Sequence, residues 1–215
     1  MTGWQQDLLE HLVSVLPVES VSAYGSVTRA GDLDRWSDLD VRVRVRIRHP
    51  LDVERVLAAR LWAWQEHRGT TAHELRLVTA DGRRVDLTID GPPPVLPRPP
   101  ADLAVRFDAA LAAVRLGRGN LLIGLHLVLG IGREALVRSM ETADLATGTV
   151  HHRLPTPFDA RAADVAALTA DGLHPAVALR AYELYGQWRA ELEPDYKPDV
   201  SGLVSVLQRG NAPAS

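Results

Sequence analysis

The strongest constraint on the fold is a strict alternation of apolar and charged residues that follows two closely spaced acids. Over residues 41–48, valine or isoleucine alternates with arginine. A period of two places successive side chains on opposite faces of an extended chain, which predicts a strand with one buried face. Asp38 and Asp40 stand at the start of this strand, two residues apart. Both carboxylates are therefore expected to project from the same face.

A second feature precedes the acids and suits a phosphate group. Residues 20–24 alternate between polar and apolar types and end at Gly25-Ser26. A glycine at a turn lets backbone amides approach a phosphate closely, and a serine hydroxyl can donate to it. Two adjacent carboxylates repel each other unless a cation lies between them, and Mg2+ is the hard cation that oxygen ligands favour. The pattern predicts a site for phosphoryl or nucleotidyl transfer.

These residues carry a family resemblance. A Gly-Ser turn, a spacer and an Asp-x-Asp strand resemble the signature of the polymerase-beta-type nucleotidyltransferase superfamily. The fuller string GSVTRAGDLDRWSDLD is most similar to its small antibiotic-modifying members, which act on aminoglycosides and lincosamides. The resemblance implies that Ser26 contacts a nucleoside triphosphate and that Asp38 and Asp40 hold Mg2+. It also implies a third acid, on a neighbouring strand, that completes the metal cluster and serves as the base.

The third acid is sought in a predicted hairpin. Two alternating runs between residues 73 and 89 flank Asp-Gly, a strong hairpin signal. On the second strand Asp86 and Asp90 lie on the face opposite the core residues. Asp86 matches the family pattern best, whereas Asp90 stands at the strand end, where a turn-forming acid is expected. Asp90 and, more distantly, Glu74 stay open as alternatives to Asp86.

The resemblance further implies two Mg2+ ions and ATP as co-substrate. Asp38, Asp40 and Asp86 are the expected catalytic and metal-binding residues. The expected nucleotide-binding residues are Gly25, Ser26, Ser37, His152 and Arg153. His152 and Arg153 belong to a short basic loop, Thr147-Gly148-Thr149-Val150-His151-His152-Arg153. This loop is equally compatible with a glycine that ends a helix and solvated basic residues after it.

The rest of the chain predicts an α+β fold with two domains. Helical periodicity is present at residues 4–16 and 51–67, on either side of the strand with the acids. Six prolines in residues 92–100 predict a stiff extended connector. Everything after it has helical periodicity. We therefore expect a catalytic domain at 1–91, with a mixed sheet flanked by helices, and a helical, substrate-binding and nucleotide-closing domain at 101–215.

The composition of the chain limits the classes of partner and metal site that are expected. The formal net charge of −3 and the pI near 6.2 argue against a nucleic-acid partner. The chain has no cysteine, which excludes disulfides and thiolate metal sites. No apolar run reaches the roughly 18 residues that a membrane span needs. A cytoplasmic protein is expected, and the leucine- and alanine-rich helical part is compatible with a homodimer.

The predicted function is transfer of a nucleoside monophosphate, AMP from ATP, to a hydroxyl of a small antibiotic-like acceptor, with release of pyrophosphate. One alternative is a protein-AMPylating transferase of the toxin–antitoxin type. Another is a non-catalytic nucleotide-binding module that keeps the fold. The acceptor and the preferred base are not specified by any motif in the chain.

Overall fold

A computed structural model describes residues 3–16, 18–28, 33–45, 50–70, 72–150 and 155–212. The helices are α1 (Gly3–Val15), α2 (Val53–Leu57), α3 (Leu103–Gly117), α4 (Leu121–Thr147), α5 (Arg161–Ala167), α6 (Ala176–Leu192) and α7 (Ser201–Asn211). The strands are β1 (Val18–Tyr24), β2 (Leu39–Val45), β3 (Leu61–Arg68), β4 (His73–Thr79) and β5 (Arg84–Asp90). Short 3-10 helices lie at Gly25–Thr28 and Pro157–Ala160. The predicted α+β class is confirmed.

The five strands form one mixed sheet in the order β1-β2-β5-β4-β3. β2 and β5 are parallel neighbours, and the other three pairs are antiparallel. Alternate residues of β2 and β5 are buried, as the period of two predicts. On the buried face these strands pack in one core with apolar residues of α1 and α2. The predicted hairpin between β4 and β5 is confirmed, and Gly82 occupies its turn with a φ of 80°.

The predicted helix at residues 51–67 is wrong. The helix α2 has five residues and ends at Ala58, which adopts a left-handed conformation with a φ of 48°. The chain then continues as strand β3, whose first four residues are all buried. Trp64 packs into the core between the sheet and the helices, while Trp62 lies beneath the guanidinium of Arg106 on the other face. A strand buried on both faces does not alternate between apolar and polar residues. Its apolar residues, together with those of α2, therefore had the spacing expected of one face of a helix.

The helical structure predicted after residue 100 is confirmed by α3 to α7. By its internal contacts the chain divides into two compact units, residues 1–107 with 208–215, and residues 108–207. In the second unit α4 packs along α6, and small buried residues such as Ala135 and Ala181 allow close approach.

The domain boundary drawn at residues 92–100 stays a prediction. No helix within the described ranges combines the length and apolarity needed to cross a membrane.

The last turn of α7 belongs to the first unit and packs on the loop that leads into β2. A methyl group added at Gly210 would overlap the indole ring of Trp36. The neighbouring Arg209 donates from Nε to the carbonyl oxygen of Asp81 at 2.7 Å and lies over the ring of Trp4. The end of α7 therefore braces the segment that precedes the two acids.

Substitution of Gly210 by alanine tests this packing. Glycine-to-alanine changes inside a helix normally raise the free energy of unfolding by about 0.5–1 kcal/mol. We expect that gain for Gly130→Ala in α4, because nothing lies within 4 Å of an added methyl there. We expect Gly210→Ala to lower the free energy of unfolding by about 1–2 kcal/mol, because Trp36 must be displaced. Urea denaturation measures the free energy of unfolding of both variants. An increase in Gly210→Ala equal to that in Gly130→Ala would contradict the packing of Gly210 against Trp36.

Candidate functional site

The parallel pairing of β2 with β5 brings the predicted acids together. Asp40 and Asp86 are direct partners in the register of these two strands. Asp38, two residues before Asp40, stands on the same face as both. The face is polar and partly exposed, whereas the intervening residues Leu39 and Val85 are fully buried. The fold thus anchors the acids on strands whose other side chains form the core.

The Gly-Ser turn lies against this pair. β1 is antiparallel to β2, and its last residue, Tyr24, is the register partner of Asp40. Gly25 follows with a φ of 69°, a conformation that side chains rarely adopt. A methyl group built on Gly25 would overlap the carboxylate of Asp40. Glycine is therefore required here for both conformation and space, and Ser26 follows it, partly exposed.

Asp38 is paired with an arginine of the neighbouring strand. The Nη2 atom of Arg84 donates to Oδ2 of Asp38, and Nη1 donates to the carbonyl oxygen of Trp36 at 2.7 Å. The Arg84 side chain is only 13% exposed. These contacts join Asp38 and the loop before it to β5.

Asp86 has a perturbed carboxyl group. Its Oδ2 accepts from Nε of Arg76 on β4 at 3.4 Å. Burial raises the pKa of Asp86, and the negative charge of Asp38 raises this pKa further. The positive charges of Arg76 and Arg84 act in the opposite direction without cancelling the effect. A carboxylate with a raised pKa is better suited to accept a proton than an ordinary aspartate.

Asp90 occupies a different environment from Asp86. It is four residues farther along β5 and is the register partner of Arg44, not of Asp40. Arg42 donates to both of its carboxylate oxygens at 2.8 Å, and this hydrogen bonding lowers the pKa of Asp90. Glu74 lies opposite Thr88. The alternatives left open by the sequence are therefore farther from Asp40 than Asp86 is.

Tyr24 was not singled out from the sequence, although it directly precedes the Gly-Ser turn. Its hydroxyl lies 3.2 Å from Oγ1 of Thr88 on β5. Burial raises the pKa of Tyr24, and the charges of Asp40 and Asp86 add to this rise. The tyrosine thus forms one side of the polar face, next to both acids.

The other predicted nucleotide-binding residues are placed differently. The Ser37 side chain is buried, and its hydroxyl donates to Oδ1 of Asp34 at 3.0 Å within the turn before Asp38. Its contact with a nucleotide stays a prediction. His152 and Arg153, with His151, lie outside the described residues.

The three carboxylates fit a divalent cation by their chemistry. Oxygen donors with net negative charge are the ligands that Mg2+ prefers, and the charge of Asp38 raises the pKa of Asp86, an effect that a cation beside them would oppose. As the side chains stand, Arg84 and Arg76 hold two of the three acids. Within the described part of the chain, no group of three acidic, histidine or cysteine side chains is arranged to hold a metal ion.

The helical unit contains an open cavity of about 690 Å³. Its lining combines apolar residues from the first turn of α4 with two basic groups, Arg115 and His126. The size is within the range of small-molecule sites.

Comparisons with known proteins add little. No family model matches the sequence. The curated proteins include no match either. A solved structure that matches is the crystal structure of an aminoglycoside 6-adenyltransferase from Bacillus subtilis, at 9% identity over 94% of this chain and 95% of that chain. The TM-score is 0.29, which is too low to support any conclusion about fold or function.

Replacement of Gly25 tests the requirement for glycine beside Asp40. We expect Gly25→Ala to lower the free energy of unfolding by about 1–3 kcal/mol, because it combines a strained φ with an overlap. Ser26→Ala leaves the backbone unchanged and should alter stability by less than about 0.5 kcal/mol. Denaturant titration of both variants measures the difference. Equal stability of the two variants would show that the turn has room at Gly25.

The raised pKa of Asp86 predicts a pH dependence of stability in protein kept free of divalent ions by EDTA. Between the ordinary aspartate pKa of about 3.9 and the raised value, the folded protein holds the proton that the unfolded chain has lost. Ionisation of Asp86 therefore lowers stability as the pH rises through this range. We expect Asp86→Asn to gain stability relative to the unmodified protein from pH 4 upwards and to reach a plateau near neutrality.

Asp90→Asn is the matched control with the opposite sign. The pKa of Asp90 is lowered, so its stabilising contribution is already complete above the ordinary aspartate pKa and is lost only at more acidic pH. This variant should be less stable than the unmodified protein by a constant amount from about pH 5 to 7. Urea denaturation over pH 4–7 distinguishes the two. A constant offset for Asp86→Asn as well would contradict the raised pKa.

Proposed function

We propose that this protein is a metal-dependent nucleotidyltransferase. It transfers AMP from ATP to a hydroxyl group of a small antibiotic-like acceptor and releases pyrophosphate. The observation that carries the proposal is the alignment of Asp40 with Asp86, with the Gly25 turn packed against Asp40. This arrangement agrees with what the sequence resemblance implies, namely a phosphate-binding Gly-Ser turn, two metal-binding acids and a third acid on a neighbouring strand.

The roles proposed for the side chains are those that the sequence resemblance implies. The backbone at Gly25 and the hydroxyl of Ser26 bind the β- and γ-phosphates. Asp38, Asp40 and Asp86 would hold Mg2+, which would offset the triphosphate charge and lower the pKa of the acceptor hydroxyl. Asp86 accepts the proton from that hydroxyl, in keeping with its raised pKa.

The bond changes balance without a further reactant. The acceptor oxygen forms a bond to the α-phosphorus of ATP as it loses its proton to Asp86. The bond from the α-phosphorus to the bridging oxygen breaks, and the electron pair leaves with pyrophosphate. Alignment of the reacting atoms and neutralisation of charge supply most of the rate enhancement in such transfers.

The arginine pairs favour a second candidate, the non-catalytic nucleotide-binding module. Arg84 on Asp38 and Arg76 on Asp86 neutralise two of the acids without a metal. A module of this kind would bind ATP equally well with and without Mg2+. Calorimetric titration of ATP in the presence of Mg2+ and in the presence of EDTA separates the two candidates, since the transferase requires the metal.

Pyrophosphate release tests the transferase directly. Purified protein with ATP and Mg2+ is assayed against a panel of aminoglycosides and lincosamides. We expect release with at least one acceptor, and a loss of roughly 10²-fold or more in Asp40→Asn and Asp86→Asn, because each removes a charge from the reacting centre.

Asp90→Asn is the control, since it removes a carboxylate from the same strand and face as Asp86 but is paired with Arg42. It should retain most of the activity. Undiminished release in Asp86→Asn would refute the assigned base. Modification of a co-purified protein in place of the small acceptors would instead identify the protein-AMPylating alternative.

A further inference from the structure

The arginines on the polar face of the sheet differ in the number and length of their hydrogen bonds and in their exposure. Arg42 is fixed to Asp90 by two hydrogen bonds of 2.8 Å. Arg84 is fixed by Asp38 and by the backbone carbonyl of Trp36, and it is largely buried. Arg76 has one polar contact among the described residues, at 3.4 Å to Asp86, and its side chain is 45% exposed. Of the two arginines paired with the predicted metal-binding acids, Arg76 is therefore released more easily than Arg84.

Arg76 lies in line with the acids and next to open space. In the register of β4 on β5, Arg76 is the partner of Asp86, and Asp86 is in turn the partner of Asp40. The guanidinium thus lies at the end of a row of polar side chains that begins beside the Gly-Ser turn. Arg76 also lines a cavity of about 440 Å³, formed with residues of β3, β4 and the first turn of α3. The side chain has open space next to it.

A guanidinium and a divalent cation compete for one carboxylate. Both carry positive charge and repel each other, so binding of one to Asp86 weakens binding of the other. Phosphate oxygens are good alternative partners for arginine, because its planar fork can donate two parallel hydrogen bonds to them. Arrival of a metal-bound triphosphate therefore supplies both a competitor for Asp86 and a new partner for Arg76.

We infer that Arg76 is a phosphate-binding residue that neutralises Asp86 until a divalent cation displaces it. With Mg2+ and ATP bound, the guanidinium leaves Asp86 and pairs with the triphosphate or with the departing pyrophosphate. This inference rests on the proposed function, since it requires a triphosphate at the Asp40–Asp86 pair. It adds a cationic ligand on β4 to the predicted nucleotide-binding residues.

The test compares binding of a metal alone with binding of the metal–nucleotide complex. Mn2+ binding is followed by electron paramagnetic resonance, and ATP binding in excess Mg2+ by calorimetry, without acceptor. In Arg76→Ala we expect Mn2+ to bind about threefold to tenfold more tightly, because the competing cation is gone. We expect MgATP to bind about tenfold more weakly, because a charged hydrogen-bond donor to phosphate is lost.

Arg44→Ala is the matched control. Arg44 is 60% exposed on the same face, and its nearest ion pair is Asp90 at 3.9 Å. Its removal lowers the charge of the face by the same amount, so it should shift either affinity by less than about twofold if proximity to Asp86 is what matters. Asp86→Asn locates the Mn2+ signal, which it should weaken strongly. Near-ultraviolet circular dichroism of each variant checks that the fold is retained.

The outcomes separate the inference from the function on which it rests. Opposite changes in Mn2+ and MgATP affinity in Arg76→Ala, with little change in Arg44→Ala, support the inference. If the unmodified protein binds MgATP but Arg76→Ala binds both ligands as well as it does, the inference is overturned and the proposed function stands. Equal effects of the two arginine variants also overturn it, because they would reflect net charge alone. If the unmodified protein binds neither Mn2+ nor MgATP, both are overturned.

Discussion

The parallel pairing of β2 with β5 is the constraint on which the site depends. Its register sets Asp40 beside Asp86 on one face, and on the other it sets Val41 beside Leu87 in the core. Burial of the six core side chains of these two strands contributes on the order of 10 kcal/mol, far more than two carboxylates in a half-exposed face lose by repulsion. A shift of one residue would move the acids into the core, so the register that buries the apolar residues also fixes the acids.

Arginines make this concentration of acids tolerable before any cation arrives. Asp38 is paired with Arg84, Asp86 with Arg76 and Asp90 with Arg42. The pairs are not equivalent, because the contact of Asp86 is the longest and its pKa is raised despite it. Of these three paired carboxylates, Asp86 is therefore the least compensated, and it is the one that the proposed mechanism uses as base. The other two pairs join β5 to β2 and to the loop before β2.

Local patterns predicted much of this arrangement. The alternation after Asp40 and the Asp-Gly turn before β5 correctly predicted strands β2, β4 and β5, and they predicted which face of its strand each acid occupies. The identity of neighbouring strands is a long-range property, however, so the sequence did not reveal that Arg76 would pair with Asp86 and Arg84 with Asp38. The helix predicted at residues 51–67 failed for a related reason. Burial of both faces at the start of β3 depends on Arg106 and α3, more than forty residues later.

The stability cost at Asp86 bears on the choice between a transferase and a binding module. A half-buried carboxylate next to Asp38 destabilises the folded state at neutral pH, since ionisation there is opposed by burial and by like charge. A module that only bound ATP would gain from an uncharged residue at this position, because a negative charge repels the triphosphate. A metal-dependent transferase needs that carboxylate both as a cation ligand and as a base. The environment of Asp86 is compatible with the role of base that the proposed function gives it.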